Sequence, residues 1–136
     1  MSACPLCAAQ GETVLWRDAR LRVILARDSD YPGFCRIIWN THVREMTDLD
    51  DADRSYFMKA VFSVERVLRE MLAPTKINLA SLGNQVPHLH WHAIPRFTDD
   101  AHFPDPVWTP RVRDGTKHEI DRDALATKLS AVLSRP

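Results

Sequence analysis

The sequence predicts an α+β fold, a mainly antiparallel sheet of five strands with one long helix across one face and a second helix near the C-terminus. Three observations carry this. Short runs rich in β-branched and aromatic residues recur with little more than turn sequence between most of them. Strands spaced that closely leave no room for the crossovers that parallel pairing needs. One long stretch repeats its apolar residues at helical spacing, which supplies the second layer of a sandwich.

Residues 14–18 and 21–26 read as two strands joined tightly through Asp18-Ala19-Arg20. The run Asp28-Ser29-Asp30-Tyr31-Pro32-Gly33 is a turn cluster, and residues 34–39 form a third strand. The long helix covers about 50–72, with Thr47 or Asp48 as its cap. Phe57, Val61, Val64, Leu68 and Met71 make its apolar face, and Pro74 ends it. Residues 76–82 and 88–94 read as strands four and five, with Gly83-Asn84 between them. Pro104, Pro106 and Pro110 make residues 98–118 extended and irregular, because proline restricts itself and its predecessor. A last helix runs over 121–133, capped by Asp121. Trp16, Trp39 and Trp91 are core candidates, Tyr56 and Phe57 pack the helix, and residues 17–20 are a solvated turn.

A chain of 136 residues fits one domain. Its 18 basic and 18 acidic side chains cancel, which argues against broad nucleic-acid binding but leaves room for a small anionic ligand. No apolar run approaches the ~18 residues of a membrane span. The N-terminal residues lack a charged segment followed by an apolar one. The expectation is a cytoplasmic protein with no membrane partner. Three cysteines cannot all pair: Cys4 and Cys7 form a C-x-x-C, and Cys35 stands alone in an apolar run. In a reducing compartment they are free thiols, with a metal question attached to the pair. A redox role is disfavoured because no helix is predicted to start at Cys4 and depress its pKa.

The chemistry concentrates in His88-Leu89-His90-Trp91-His92. On a strand, side chains at i, i+2 and i+4 share a face, so three imidazoles would line one stripe while Leu89, Trp91 and Ala93 enter the core. Such a stripe can bind a transition metal. It can equally supply a nucleophile for a phosphorus centre and an acid for the leaving group, since histidine titrates near neutrality. Residue types alone do not rank these two readings. Just upstream, Gly83-Asn84-Gln85-Val86-Pro87 offers a small-residue turn, two amides and backbone N–H groups able to cradle phosphate oxygens.

These residues resemble the histidine triad (HIT) family. The likeness rests on His88-x-His90-x-His92 with its apolar neighbours, extended by Ile94-Pro95-Arg96. Asn78, Gly83 and the strand Gly33-Phe34-Cys35-Arg36-Ile37-Ile38 leading to His42 support it, as do Phe103-Pro104 and Trp108. It spans roughly residues 4–108, leaving 109–136 as a C-terminal extension, and it points to bacterial members described as dinucleoside-polyphosphate hydrolases.

The resemblance implies a five-stranded antiparallel sheet and a homodimer. It implies that His90 attacks the α-phosphate of a dinucleoside polyphosphate or nucleoside phosphoramidate, forming a nucleotidyl-histidine that water resolves. His92 would contact the phosphate and protonate the leaving group. Backbone and amides around Asn84, with Gly83, Gln85 and Asn78, would bind the substrate, and the ribose-binding acid is expected near Asp28. This chemistry requires no metal, because positioned donors can offset the developing charge. The resemblance also implies a structural zinc on Cys4, Cys7, His42 and His88, which would tie the N-terminus to two strands and remove His88 from direct catalysis. Two departures stand out. Gly33-Phe34 occupies the place of a Gly-His pair common in the family, and Asn84-Gln85 replaces its Gln-Ser or Gln-Thr.

Three functional readings follow: a nucleotide hydrolase or transferase acting on a purine nucleotide, a nucleotide-binding sensor with little turnover, and a metal-binding protein whose triad itself ligates the ion. Arg96 reads equally as a phosphate contact or an exposed strand-end residue. Trp108 with Phe103 reads as a base-stacking pair or as packing against the sheet or a partner subunit. His102 and His118 read as solvated loop residues.

Overall fold

The computed structural model describes residues 4–135. The elements are α1 (Pro5–Ala8), β1 (Thr13–Arg17), β2 (Leu21–Leu25), β3 (Cys35–Trp39), a 3-10 turn at Met46–Asp48, α2 (Asp51–Leu72), β4 (Lys76–Ala80), β5 (His90–Arg96) and α3 (Arg122–Leu133). The five strands form one sheet in the order β1-β2-β3-β5-β4. Every neighbouring pair is antiparallel. The α+β expectation is therefore met. Because β5 inserts between β3 and β4, the histidine strand is held by ladders on both edges.

Local chemistry explains the boundaries. The β1–β2 turn closes on Asp18, whose Oδ1 accepts the backbone N–H groups of Arg20 and Leu21, both at 2.8 Å. The cap of α2 is Asp50, which accepts from the Asp53 N–H at 2.8 Å, not Thr47 or Asp48. Asp48 instead closes the preceding 3-10 turn by accepting from Glu45 N–H at 2.9 Å, so its carboxylate is already committed before α2 begins. α2 ends at Ala73 in the left-handed region, one residue before Pro74. Asp121 caps α3 as expected.

The period of two along each strand separates the faces. Val23, Ile37 and Ala93 face the helices with Phe57, Val61, Val64 and Leu68 of α2. Fully burying each of these large side chains contributes about 1.5–3 kcal/mol. Ala60 and Val67 widen the expected helix face, while Met71 is only partly buried. Leu125 and Leu129 of α3 enter the same core, so α3 is part of the packed domain. Trp39 is buried, while Trp16 and Trp91 pack against the core partly exposed. The cross-strand rows Arg22–Ile38–His90 and Ile24–Arg36–His92 define the opposite face.

Three expectations are corrected. A short helix does begin at Cys4, with Pro5 in its first turn. His88 is not part of the last strand, which starts at His90. The His88 N–H turns back to the Val86 carbonyl at 2.8 Å, and Leu89 N–H bonds Val43 instead of β4. His102 and Arg96 are not solvent-exposed but buried, at 6% and 2% exposure.

Candidate active site

The sheet sorts the three histidines into two places. His90 and His92 project from the face away from the helices, with ring centroids 5.0 Å apart and planes nearly perpendicular. His88, one step outside the strand, turns toward the N-terminus and His42. The single stripe is therefore a pair plus a detached third ring, because the turn at Val86–His88 rotates the chain before pairing begins.

His90 is buried, and its Nδ1 donates to the His88 carbonyl at 2.6 Å. A carbonyl only accepts, so the proton sits on Nδ1 and the lone pair on Nε2. Burial lowers the His90 pKa, partly offset by that hydrogen bond and reinforced by the charge of Arg36. Burial likewise pushes His92 down to about 4, with His90 and Arg36 adding to it. At neutral pH both rings are neutral. His92 Nδ1 is buried without a hydrogen-bond partner among the described residues. The Phe34 ring meets His92 edge-on at 5.4 Å. Gly33 precedes it because a Cβ there would come within 2.8 Å of Leu72 Cδ1.

The loop between β4 and β5 carries Gly83, Asn84 and Gln85. Gly83 has φ +94°, a conformation that disfavours any side chain. Asn84 and Gln85 are exposed beside it. Ser81, which no sequence motif singles out, donates to the His90 carbonyl at 2.9 Å and pins the loop to the strand. Asn78 lies on the histidine face, and its Oδ1 accepts from Arg96 at 2.8 Å. Asp28 accepts from Asp30 N–H in its own turn and lines a shallow groove with Ala26, Pro32 and Ile120. Its carboxylate is near enough to Arg36 to favour that residue's charge.

Cys4, Cys7, His42 and His88 converge so that their donor atoms all lie within 4.8 Å of one another. The His42 and His88 Nδ1 atoms are 3.2 Å apart, and the sulfur–nitrogen separations are 3.3 to 3.5 Å. Tetrahedral zinc with Zn–S of about 2.3 Å and Zn–N of about 2.0 Å sets ligands roughly 3.3–3.8 Å apart, and these sulfur–nitrogen and nitrogen–nitrogen separations fit the ion. His88 Nε2 donates to the Trp39 carbonyl at 2.6 Å, which leaves Nδ1 with its lone pair toward the cysteines. Both ring nitrogens are thereby committed, and His88 cannot share an ion with His90 and His92. Desolvation, then the neighbouring Cys4, raises the Cys7 pKa, the opposite of what a redox thiolate needs despite the helix at Cys4.

The other candidates serve the framework. Arg96 binds both Asp100 oxygens, Asn78 and the Asp105 carbonyl. His102 stacks on Tyr31 and shares a 2.6 Å hydrogen bond with its hydroxyl. His118 stacks on Phe97 and pairs with Asp99 at 2.9 Å. Trp108 is 55% exposed.

Residues 8–99 match the HIT domain model. The chain belongs to the HIT family. Among solved structures it is similar to a histidine triad protein from Bradyrhizobium japonicum, at 28% identity and TM-score 0.74 over 93% of each chain. It is also similar to one from Marinobacter aquaeolei, at 25% identity and TM-score 0.72 over 94% of this chain and 92% of that one. A zinc-bound histidine triad family protein from Mycobacterium smegmatis shares the fold, at 22% identity and TM-score 0.62 over 97% and 94%. A comparison with curated proteins finds no match. Among the described residues no helix is long and apolar enough to cross a membrane.

Proposed function

We propose that this HIT protein is a nucleotide hydrolase or transferase that cleaves at the α-phosphate of a dinucleoside polyphosphate or nucleoside phosphoramidate. The observation that carries the reading is His90: buried, neutral, its Nδ1–H held by the His88 carbonyl at 2.6 Å, its Nε2 lone pair free. That is a histidine prepared as a nucleophile. Nε2 forms a bond to phosphorus, the bond to the leaving group breaks, and His92 delivers the proton the leaving group needs. An incoming phosphate anion favours the imidazolium of His92 and reverses the shift that burial imposes. Water then attacks phosphorus, neutral His92 takes up its proton, the P–N bond breaks, a nucleoside monophosphate leaves and His90 is restored. Gly83, Asn84 and Gln85 cradle the phosphate oxygens, Asn78 supports that side of the sheet through Arg96, and Asp28 meets the ribose.

Cys4, Cys7, His42 and His88 hold a structural zinc in this reading, with the zinc-bound relative and the donor separations in support. The ion fixes the strand end from which the His88 carbonyl reaches His90, and catalysis itself uses no metal. Metal analysis of the purified protein is expected to return about one zinc per chain, lost together with thermal stability in a Cys4→Ser, Cys7→Ser double variant. A homodimer binding a purine nucleotide in the cytoplasm, where the thiols stay reduced, completes the proposal.

The test is release of AMP from diadenosine tetraphosphate and from adenosine phosphoramidate by wild type and His90→Ala side by side. Turnover that vanishes in the variant supports the nucleophile, and the ratio of rates chooses the substrate. One observation favours a second reading, a nucleotide sensor: Phe34 packs against His92 where the family carries a histidine. AMP binding without turnover in the wild type would select it.

A further inference from the structure

Three arginines sit on the histidine face, and two are saturated. Arg22 donates to both Glu12 oxygens at 2.7 and 2.9 Å, to Asn40 and to the Leu6 carbonyl. Arg96 is held as fully by Asp100, Asn78 and Asp105. Arg36 differs. It faces His92 directly across the β3–β5 ladder. Its guanidinium makes no hydrogen bond or ion pair among the described residues, and its Nε is buried with no acceptor. Its carbon centre lies 5.5 Å from the Phe34 ring centroid.

A guanidinium offers five donors in a planar fork that matches phosphate or carboxylate oxygens. Leaving such a donor buried and unanswered costs on the order of 1–3 kcal/mol. A sheet position flanked by Ile24, Phe34 and Ile38 would accept an apolar residue without that cost. The neighbouring carboxylates do not answer it: Asp28 and Glu12 act on Arg36 only through space, and Glu12 is spent on Arg22. The charge of Arg36 also reaches both His90 and His92, so an anion held by it would act on both rings.

We propose that Arg36 is a substrate-binding residue of the His90–His92 site, donating charge-assisted hydrogen bonds to a phosphate of the nucleotide. The assignment rests on the nucleotide reading above and adds to it the cation that the loop amides of Asn84 and Gln85 do not supply. It also accounts for an arginine in the middle of an otherwise apolar strand.

Calorimetric binding of AMP and of adenosine to wild type, Arg36→Gln and Arg36→Lys tests this, with the melting temperature of each variant alongside. The expected result is an AMP affinity reduced at least about tenfold in Arg36→Gln, with adenosine affinity little changed, partial recovery in Arg36→Lys and no loss of thermal stability. An unchanged AMP-to-adenosine ratio, with a lowered melting temperature, would make Arg36 a framework residue and overturn the proposal. Wild type that binds neither nucleoside nor nucleotide would refute the nucleotide reading instead. Pyrophosphate then decides Arg36 separately: binding lost in Arg36→Gln supports an anion site, and equal binding or none in either protein overturns it. If Arg36→Gln does not fold, the same ligands are compared between wild type and Arg36→Lys. A selective loss of AMP affinity there supports the proposal, and an unchanged AMP-to-adenosine ratio overturns it.

Discussion

Two polar regions share the open face of the sheet, four residues apart on β5. Around Arg96, every donor and acceptor is answered. Asp100 accepts from Arg96 and from the backbone N–H groups of Phe97, His102 and Phe103, and from the Tyr31 hydroxyl. Burial opposes ionisation of Asp100, yet those donors hold its carboxyl well below the usual carboxylate range. Around His92, two polar atoms stay unanswered: His92 Nδ1 and Arg36 Nε are buried without partners among the described residues. Native proteins satisfy buried polar groups, so an unanswered pair beside a fully answered one is what the proposed binding site rests on.

Five substitutions break or sharpen this contrast. The largest effect falls on the open region. His90→Ala removes the proposed nucleophile and should cut turnover at least about a thousandfold. Far-UV circular dichroism should stay unchanged, and turnover equal to wild type would remove His90 from the chemistry.

Asp100→Ala strikes the closed region and should do the reverse. It leaves the Arg96 guanidinium buried and unpaired, a loss of about 3–5 kcal/mol, or on the order of 10 °C in melting temperature. Activity per folded molecule at low temperature should persist.

Acid separates the two regions further. Both His92 and Asp100 have depressed folded pKa values, but the sign of the linkage differs between a base and an acid. For Asp100 the ionised form is favoured in the folded chain, so it contributes stability that is complete above its unfolded value and lost as pH falls below about 3.9. For His92 the neutral form is favoured, so folding resists its protonation and stability is lost as pH falls from about 6.5 down to about 4. Urea midpoints measured across pH should show a slope between about pH 6.5 and about 4 that flattens in His92→Phe but survives in Asp100→Asn. An identical slope in both variants would assign it to other groups.

The smallest effect lies away from both regions. Asp50→Ala removes the cap of α2 at a cost of about 1 kcal/mol, a shift of a few degrees with turnover per folded molecule intact. A larger loss would mean that the start of α2 is coupled to the sheet face.

Much of this is legible in the chain because it depends on near neighbours. Alternation places His90 and His92 together, since a period of two needs only the strand. The hairpin at Asp18, the apolar face of α2 and the cap at Asp121 follow from spacing and turn chemistry within a few residues. Local pattern is silent where a distant partner decides. Nothing in the sequence around α2 says that Asp48 is already occupied with the preceding turn, leaving Asp50 to cap the helix. Nothing near His102 says that Tyr31 will stack on it. Arg96 reads as a strand-end cation until Asp100 and Asn78 close around it. Arg36 carries a faint signal, a charge inside residues 34–39 on the same alternation as Phe34 and Ile38, but the strand does not say whether a carboxylate will meet it.

The sequence by itself determined the α+β class, the strands and helices, and the shared face of one histidine pair, because hydrophobic period and turn residues act over short range. Only the tertiary structure decided which histidine left the stripe and which arginine stayed bare. His88 turns to Cys4 across 84 positions of sequence, and Arg36 meets His92 across the pairing of β3 with β5, two strands that α2 separates in the chain.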